Sequence, residues 1–314
     1  MSTLPAEPLG NLVQPDQPEL PPPRARLRSR RLPYLLLLPA LAWLAVFFVV
    51  PTITLFSTSL QTGSIYEGYT LTFSFSNYLD AWTRFWPQML RSLFYAGSAT
   101  VLAVFIAYPL AYTMAFKAGR WRNLLLILVI APFFTSFLIR TLAWKTILAD
   151  NGIVVEVFNA LRITDVLSMI GLTTGDRLLA TPLAVITGLT YNFLPFMILP
   201  LYAALERLDI RLIEAASDLY ASPFAAFGKV TLPLSMPGVV AGTLLTFIPA
   251  CGDYINAQLL GSMPATSMIG NVIDAQFLRV LAYPTAGALS FTLMVGVVAI
   301  VSLYVRRAGT ERLL

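Results

Sequence analysis

The sequence predicts an all-α, polytopic membrane protein of about six transmembrane helices. Three observations predict this class: the apolar composition, the grouping of apolar residues into long separate runs, and the uneven distribution of lysine and arginine. Of 314 residues, 57% are hydrophobic and 12% are charged, and the mean hydropathy is +0.73. Because soluble domains carry about 25% charged residues, this chain lacks the polar surface that water requires.

The first element is a tail of residues 1–31. Its prolines alternate with polar residues and it has no apolar period, so we expect it to be disordered. It also lacks the apolar stretch and cleavage site of a signal peptide. It ends in Arg24, Arg26, Arg28, Arg30 and Arg31. We interpret it as a cytoplasmic leader whose arginines set the orientation; the alternative is an arm that binds a partner.

Six apolar runs follow, each near the roughly 20 residues that an α-helix needs to cross the hydrocarbon core. They are 34–58, 88–116, 123–146, 180–204, 238–259 and 284–305. Several prolines lie in or near them, which membrane helices tolerate because neighbouring helices satisfy the freed carbonyl groups. The predicted domains are therefore a tail of 1–31, a transmembrane domain of 32–308 and a cytoplasmic C-terminal tail of 309–314.

The basic residues predict the orientation, since cytoplasmic loops of membrane proteins are enriched in lysine and arginine. With the N-terminus inside, 14 basic residues fall in cytoplasmic segments and 7 fall in outer segments or spans. Both termini are then cytoplasmic, as an even number of spans requires. The net charge of +5 reflects this orientation, and we expect no nucleic-acid partner.

Three connections are long. The two outer ones, 59–87 and 147–179, mix aromatic and polar residues and suit an interface belt or a docking surface. The inner one, 205–237, carries charged residues beside an apolar set at helical spacing: Leu208, Leu212, Ala215, Ala216 and Leu219. This pattern predicts an amphipathic helix-turn-helix that lies along the inner face of the bilayer or in the groove of a partner.

Residue usage excludes several classes of enzyme. The chain has no histidine, which excludes a Ser-His-Asp triad, an HExxH zinc site and a histidine proton relay. Cys251 is the only cysteine, so we expect no intrachain disulfide and interpret it as a small apolar residue. No GxxxxGKS/T loop is present, so the chain does not itself bind ATP in that manner. We expect no metal site and no cofactor.

The inner connection resembles the EAA loop of ABC importer permeases, whose usual pattern is EAA-x3-G-x9-I-x-LP. The residues that match it, without a gap, are Glu214, Ala215, Ala216, Val230, Leu232 and Pro233. Tyr220 departs from the pattern because it occupies the glycine position, where glycine permits a turn with positive φ. Since tyrosine adopts positive φ less cheaply, we expect an ordinary helical turn there or a bend displaced to 221–223.

This resemblance implies a permease subunit of a bacterial ABC importer, a multi-pass protein of the cell membrane. It implies that the EAA loop is a coupling helix inserted into a cleft on a separate, ATP-hydrolysing subunit. Glu214 would then pair with a basic group or backbone donors of that subunit; the alternative is a solvated helix charge. The residues assigned to coupling are Glu214, Ala215, Ala216, Asp218, Tyr220, Leu232 and Pro233.

Four segments are similar to the polyamine (spermidine/putrescine) permeases: 132–154, 191–209, 233–262 and 269–278. This likeness covers roughly residues 34–305. It implies a heterodimer with a second, related permease, two copies of an ATPase and an external solute-binding protein, with solute moving by alternating access. Related permeases for opines, ferric iron or sulfate share much of the same sequence pattern, so they remain alternative assignments.

A carboxylate within the membrane is costly and marks a functional candidate, and Asp253 lies toward the end of the fifth run. A carboxylate and aromatic faces suit a polyammonium ligand. The candidate path residues are Asp253, Tyr254, Asn256, Tyr191, Asn192 and Asp274. Alternatively, Asp253 pairs with Arg140 or Lys145, or reaches the outer interface. We expect Arg140 and Lys145 to anchor at outer headgroups or to pair with Asp150.

Two other classes of protein compete with this interpretation. An ion-coupled secondary transporter working alone usually shows coupling acids or broken helices in paired halves, and the two halves of this chain show no clear repeat. An intramembrane enzyme needs a catalytic cluster that the sequence lacks. Co-isolation with a nucleotide-binding subunit and ATP-dependent uptake would separate the permease from the secondary transporter.

Overall fold

A computed structural model describes residues 32–308, and this part of the chain is mostly helical. Five of its helices are long and apolar enough to cross a membrane, and a sixth span is obtained if two helices that meet at a bend count as one. The predicted all-α polytopic fold is confirmed. The tails of 1–31 and 309–314, predicted to be cytoplasmic, lie outside the described residues.

The described chain contains fourteen α-helices and one β-hairpin. The helices are α1 (Leu32–Leu44), α2 (Val50–Ser59), α3 (Ser76–Phe116), α4 (Arg122–Ile130), α5 (Phe137–Ile147), α6 (Ile153–Ala160), α7 (Ile163–Met169), α8 (Pro182–Glu206), α9 (Ile210–Asp218), α10 (Pro223–Ala226), α11 (Leu232–Gly252), α12 (Ile255–Leu260), α13 (Ile269–Asp274) and α14 (Tyr283–Ala308). The strands are β1 (Gln61–Ser64) and β2 (Gly68–Leu71). Of the described residues, 32–51 form one unit and 52–308 form a second.

Short helical turns of other types join several of these helices. They are the π-helical turns Ala45–Val49, Phe227–Thr231 and Ala275–Arg279 and the 3-10 turns Gly119–Trp121 and Ala131–Phe134. Three of the predicted runs, 34–58, 180–204 and 284–305, agree with the observed helices to within a few residues. Long apolar runs of this kind are the pattern from which membrane helices are most easily predicted.

The outer connection predicted at 59–87 is largely ordered. β1 and β2 pair in antiparallel register, with Gln61 opposite Leu71, and α3 begins at Ser76, earlier than the predicted start at residue 88. The first turns of α3 carry charged and aromatic residues, so they lack the signature of an apolar run. They remain helical because their inner side packs into a core in which Ala81 and Met89 meet Ile269 and Leu289.

The prediction of one continuous span at 123–146 is wrong. Residues Gly119–Phe134 and Phe137–Ile147 form two helical segments that meet at 97°. Pro132 lies in the 3-10 turn before the bend, and Thr135 and Ser136 are extended, with ψ of 152° and 134°. Proline interrupts the helical hydrogen-bond ladder, and apolar composition alone does not reveal the break that follows it.

The fifth predicted run, 238–259, is also divided differently. Helical structure runs from Pro223 to Gly252, and the chain then leaves the helix at Asp253, whose ψ is 132°. α12 is a separate short helix after this break. The break therefore lies inside the predicted span, at the carboxylate that the sequence singled out.

The helices α3, α8 and α11 form the centre of the second unit, with α14 beside α3. On α3, alanines recur every fourth residue and are fully buried: Ala99, Ala103, Ala107 and Ala111. Side chains of α8, including Met197, Leu201 and Leu205, pack against this stripe. Small residues at the contact let two membrane helices approach closely, which is how such helices associate in lipid.

Candidate functional site

The break after α11 places Asp253 in a capping position. Its side chain is 9% exposed, and its Oδ1 accepts a hydrogen bond of 2.8 Å from the backbone N–H of Asn256. This bond satisfies a free N–H group in the first turn of α12, as a capping aspartate does. The alternative ion pair is not found: among residues 32–308, neither Arg140 nor Lys145 pairs with Asp253.

A buried cluster of polar side chains lies beside this break. Nδ2 of Asn192, on α8, donates to Oδ1 of Asn256 at 3.0 Å and to Oγ1 of Thr141, on α5, at 3.2 Å. Gly188 permits the close approach, because a Cβ there would lie 2.9 Å from Oδ1 of Asn256. The cluster therefore joins α5, α8 and α12, three elements that are distant in sequence.

Two atoms of the cluster lack a partner among the described residues: Oδ1 of Asn192 and Nδ2 of Asn256. Both side chains are almost fully buried. A buried polar atom without a hydrogen bond costs free energy, so such atoms are suited to receive a polar group of a ligand. The free oxygen of Asn192 accepts hydrogen bonds, as an ammonium ligand requires.

The first turn of α13 packs directly on the break. Nδ2 of Asn271 donates to the carbonyl of Tyr254 at 2.7 Å. A Cβ on Gly270 would lie 2.6 Å from the carbonyl oxygen of Gly252, so the two backbones meet too closely for a larger residue. Asp274, another candidate path residue, is half-buried one turn further along α13, on the face shared by Gly270 and Asn271.

Tyr191 does not belong to the cluster, although it precedes Asn192. It lines a separate cavity of about 270 Å³ together with Arg140. The predicted pairing of Asp150 with Arg140 or Lys145 is wrong, because Asp150 forms an ion pair with Arg177 at 2.9 Å. Asp150 and Arg177 both lie in the outer connection, whereas Arg140 is on α5 at the edge of that cavity.

The connection between α8 and α11 contains the helix predicted there. α9 begins after Asp209, whose carboxylate accepts a hydrogen bond of 3.0 Å from the backbone N–H of Arg211. Glu214 and Ala215 are exposed, whereas Ile213 and Ala216 are half-buried, and α9 packs against residues 223–231. The carboxylates of Glu214 and Asp218 are therefore exposed one turn apart, next to Arg211, on a short helix that packs against the second half of the loop.

Tyr220 adopts the backbone conformation that was expected to be too costly for it. Its φ is 58°, the left-handed value that a glycine would supply at this position. Its N–H donates to the carbonyl of Ser217 at 2.9 Å, and the N–H of Ala221 donates to the carbonyl of Ala216 at 3.1 Å. These two bonds define a Schellman motif, which ends α9. The expectation of an ordinary helical turn is wrong.

The second half of the loop returns to the membrane as a helix. Oγ of Ser222 accepts a hydrogen bond of 3.3 Å from the N–H of Ala225, and Pro223 takes the first helical position, where proline needs no hydrogen-bond partner. Helical structure then continues through Leu232 and Pro233 into α11. The predicted bend at 221–223 is therefore the start of this helix, directly after the turn at Tyr220.

Sequence reasoning missed several residues of these two sites. Thr141 and Asn271 support the break, but single polar residues at these places carry no pattern that distinguishes them from others. At the loop, Leu219 and Phe224 are 82% and 90% exposed and flank Tyr220. The amphipathic pattern placed Leu212, Ala215 and Leu219 on a buried face, but all three are exposed in the described chain, so this part of the prediction is wrong.

Comparison with known proteins supports a family assignment. No family model matches the chain. The chain is 38% identical over 266 residues to the spermidine/putrescine transport system permease protein PotB of Haemophilus influenzae, covering 84% of this chain and 90% of that protein. It is 38% identical over 256 residues to the PotB protein of Escherichia coli K12, covering 81% and 89%.

Solved structures agree on the fold. The chain superposes with a TM-score of 0.61 on a chain of a bacterial alginate ABC transporter in complex with an alginate pentasaccharide-bound periplasmic protein. The match covers 90% of this chain and 95% of that chain at 19% sequence identity, so it bears on the fold alone. A TM-score of 0.58 relates it to another alginate-importing ABC transporter structure. From its sequence relatives, the chain belongs to the family of ABC transporter permease subunits that includes the spermidine/putrescine permeases.

Proposed function

We propose that this chain forms the membrane path for a polyamine, such as spermidine or putrescine, in a bacterial ABC importer. The observation that carries this proposal is the 38% identity to spermidine/putrescine permeases over most of both chains. Solute would move by alternating access, with a separate ATPase supplying the energy. The second candidate is a permease of the same type for an opine, ferric iron or sulfate.

The break after α11 supports a cationic cargo. Asp253 caps α12 through one carboxylate oxygen, and its carboxylate would attract an ammonium group. The Oδ1 atom of Asn192 is a second acceptor without a partner in the described chain. Tyr254, 41% exposed beside Asp253, adds an aromatic face for cation–π contact. Tyr191 and Asp274 are the further path residues proposed from the sequence.

We place the contact with the ATPase at the loop around α9. Glu214, Ala215, Ala216, Asp218, Tyr220, Leu232 and Pro233 are the proposed coupling residues. The turn after α9 adds an apolar apex, formed by Leu219, Tyr220 and Phe224, all of which are at least 82% exposed. A short helix with exposed carboxylates and an apolar apex suits insertion into a cleft, where apolar anchors dominate the energy and charges set the register.

The complete importer would contain a second, related permease as heterodimer partner, two ATPase copies and an external binding protein. The chain would lie in the inner membrane with residues 1–31 and 309–314 as cytoplasmic tails and 32–308 as the permease domain. The bilayer itself covers the exposed apolar side chains of the spans. ATP would be hydrolysed by the partner subunit.

Transport by the reconstituted complex tests the proposal. The complex, isolated through a tag on this chain, is placed in proteoliposomes with its binding protein and labelled spermidine or putrescine. We expect accumulation with ATP and none with a non-hydrolysable analogue. ATP-driven uptake of sulfate, ferric iron or an opine without polyamine uptake would show that the cargo is wrong. Uptake driven by an ion gradient without ATP would show that the mechanism is wrong.

A further inference from the structure

Arg140 lines a pocket apart from the break after α11, together with Tyr191, which the sequence assigned to the path. It is on α5, just after the 97° bend in the third span. The pocket, about 270 Å³, is otherwise apolar apart from Tyr191, and side chains such as Leu110 of α3, Leu125 of α4 and Leu194 of α8 line it. A permanently charged guanidinium group is therefore placed against three membrane helices.

The guanidinium is not satisfied by this chain. Its Nε and Nη1 atoms are buried and have no hydrogen-bond acceptor among residues 32–308. The ring centroids of Phe133 and Phe137 each lie 5.8 Å from the guanidinium carbon of Arg140. These aromatic faces attract the positive charge, but they do not accept the in-plane N–H groups. An acceptor from outside the described chain is required.

One wall of the pocket lies halfway along α8. Leu194 is the midpoint of α8, so it stands about 18 Å from either end of that helix at 1.5 Å per residue. Phosphate headgroups lie at the surfaces of a hydrocarbon layer about 30 Å thick, so they are about 15 Å from its centre. A lipid phosphate at that surface would lie far from Leu194, so we favour an acceptor within the membrane; the predicted anchoring of Arg140 at outer headgroups stays as the alternative that the cross-linking below distinguishes.

A carboxylate within the membrane would satisfy both of these N–H groups of Arg140. A planar guanidinium is suited to bidentate pairing with a carboxylate, and it is chosen over lysine for buried ion pairs. The proposed cargo does not supply one, because a polyammonium ion and a guanidinium repel each other. A helix of another membrane subunit has access to the same depth of the bilayer and can supply one.

We propose that Arg140 receives an aspartate or glutamate side chain from the second permease subunit, and that this intramembrane pair selects the correct partner. The inference rests on the proposed function insofar as that function includes a second permease. A buried ion pair contributes specificity because a mismatched partner leaves the charge unpaired. Phe134, 86% exposed beside the pocket, would lie in the same contact.

Two variants on α5 test the pair. Arg140→Gln keeps a polar side chain and removes the charge, and Lys145→Gln removes an exposed charge from the same helix as a matched control. The complex is purified through a tag on this chain, and the second permease retained per tagged chain is measured. We expect Arg140→Gln to retain about tenfold less second permease at equal membrane abundance, and Lys145→Gln to retain the normal amount. Normal retention by Arg140→Gln would overturn the proposal.

A second measurement covers the case in which Arg140→Gln fails to accumulate. A photoreactive phenylalanine analogue replaces Phe134 in the otherwise native complex, and the cross-linked product is identified by mass. An adduct with the second permease supports the proposal, and an adduct with lipid alone overturns it. Polyamine uptake by the unsubstituted complex is measured in parallel, so that a failed pairing is distinguished from a failed transport function.

Discussion

Tyr220 combines two unfavourable properties. Its φ of 58° lies in the left-handed region, which costs a residue with a Cβ roughly 1–2 kcal/mol. Its side chain is also 99% exposed, so no packing within the described chain offsets that cost. A position after the end of a helix is where glycine is usually favoured. We attribute the tyrosine to a contact with the ATPase, which its ring would make together with Leu219 and Phe224.

This attribution leads to a prediction for Tyr220→Gly. The substitution removes the backbone strain, so we expect the unfolding midpoint of the isolated subunit to rise slightly, by about 2 °C. It also removes the ring, so the ATPase retained on purification should fall. Tyr220→Phe is the matched control, since it keeps both the strain and the ring and should retain the ATPase. If Tyr220→Gly retains the ATPase fully on purification, the tyrosine ring does not contribute to the contact with the ATPase.

Two substitutions of Asp253 separate its role in capping α12 from the effect of its negative charge on the cargo. Asp253→Asn keeps an Oδ1 atom to accept the N–H of Asn256, whereas Asp253→Ala removes both the cap and the charge. Losing a cap costs about 1 kcal/mol, so we expect only Asp253→Ala to lower stability noticeably. Both should weaken polyamine uptake while the complex assembles. Unchanged uptake by Asp253→Asn at low polyamine concentration would show that the carboxylate does not bind the cargo.

The residues of the candidate path could be predicted only in part. Asp253 and Asn192 were singled out because polar groups are rare within apolar spans, and the structure brings them to the same break. Thr141 was missed because a threonine within a helix commonly donates its hydroxyl to a backbone carbonyl of the same helix, and nothing in the sequence marks a further contact. Thr141 donates in this way to the carbonyl of Phe137, at 3.0 Å. Tyr191 was grouped with Asn192 by proximity in sequence, although neighbours on a helix point in different directions.

Among the secondary-structure elements, the long apolar helices can be predicted from the sequence. The bends and breaks cannot, because they depend on backbone geometry. α8 and α14 were predicted closely because each is a single long apolar run. The bend between α4 and α5 and the break before α12 were missed, since apolar residues continue on both sides of each. The hairpin of β1 and β2 was missed because it is short. Its attachment, a hydrogen bond from the Tyr69 hydroxyl to the carbonyl of Leu281, joins segments far apart in sequence.

The helix α9 carries the prediction of coupling. Glu214→Lys reverses an exposed charge outside the apolar spans, so the fold of the spans should be unaffected. At a contact with the ATPase, the loss of a paired charge costs roughly 2–5 kcal/mol, or at least about 30-fold in affinity. We expect normal membrane abundance, loss of the ATPase on purification and loss of uptake. Arg211→Glu, on the same helix, is a control for charge reversal as such.

If Glu214→Lys retains both the ATPase and full transport, Glu214 is a solvated charge. The contact would then depend on the apolar apex, and the variants of Tyr220 would show the larger effect. Equal losses for Glu214→Lys and Arg211→Glu would indicate that α9 responds to net charge and not to one specific pair.

Across the described chain, many large apolar residues are exposed, and α3 shows the arrangement most clearly, with small residues inside and large ones outside. The alanine stripe of α3 is fully buried, whereas Phe94 and Phe105 of the same helix are 61% and 71% exposed. A soluble protein rarely exposes so much apolar surface, but a bilayer solvates it. The orientation in that bilayer is a separate question, and the prediction that both termini are cytoplasmic depends on the 14 basic residues assigned to the inner side and the 7 assigned elsewhere.

Cysteine labelling tests this orientation with little disturbance of the structure. The native Cys251 is fully buried, so the unsubstituted chain should react poorly with a maleimide and serves as the blank. Tyr66, in the turn of the hairpin, and Tyr220, in the coupling loop, are 96% and 99% exposed. In cells with a permeable outer membrane, a membrane-impermeant maleimide should label Tyr66→Cys at once. It should label Tyr220→Cys only after the inner membrane is opened. Immediate labelling of Tyr220→Cys would place α9 outside, where no ATPase has access, and would overturn the coupling proposal together with the topology.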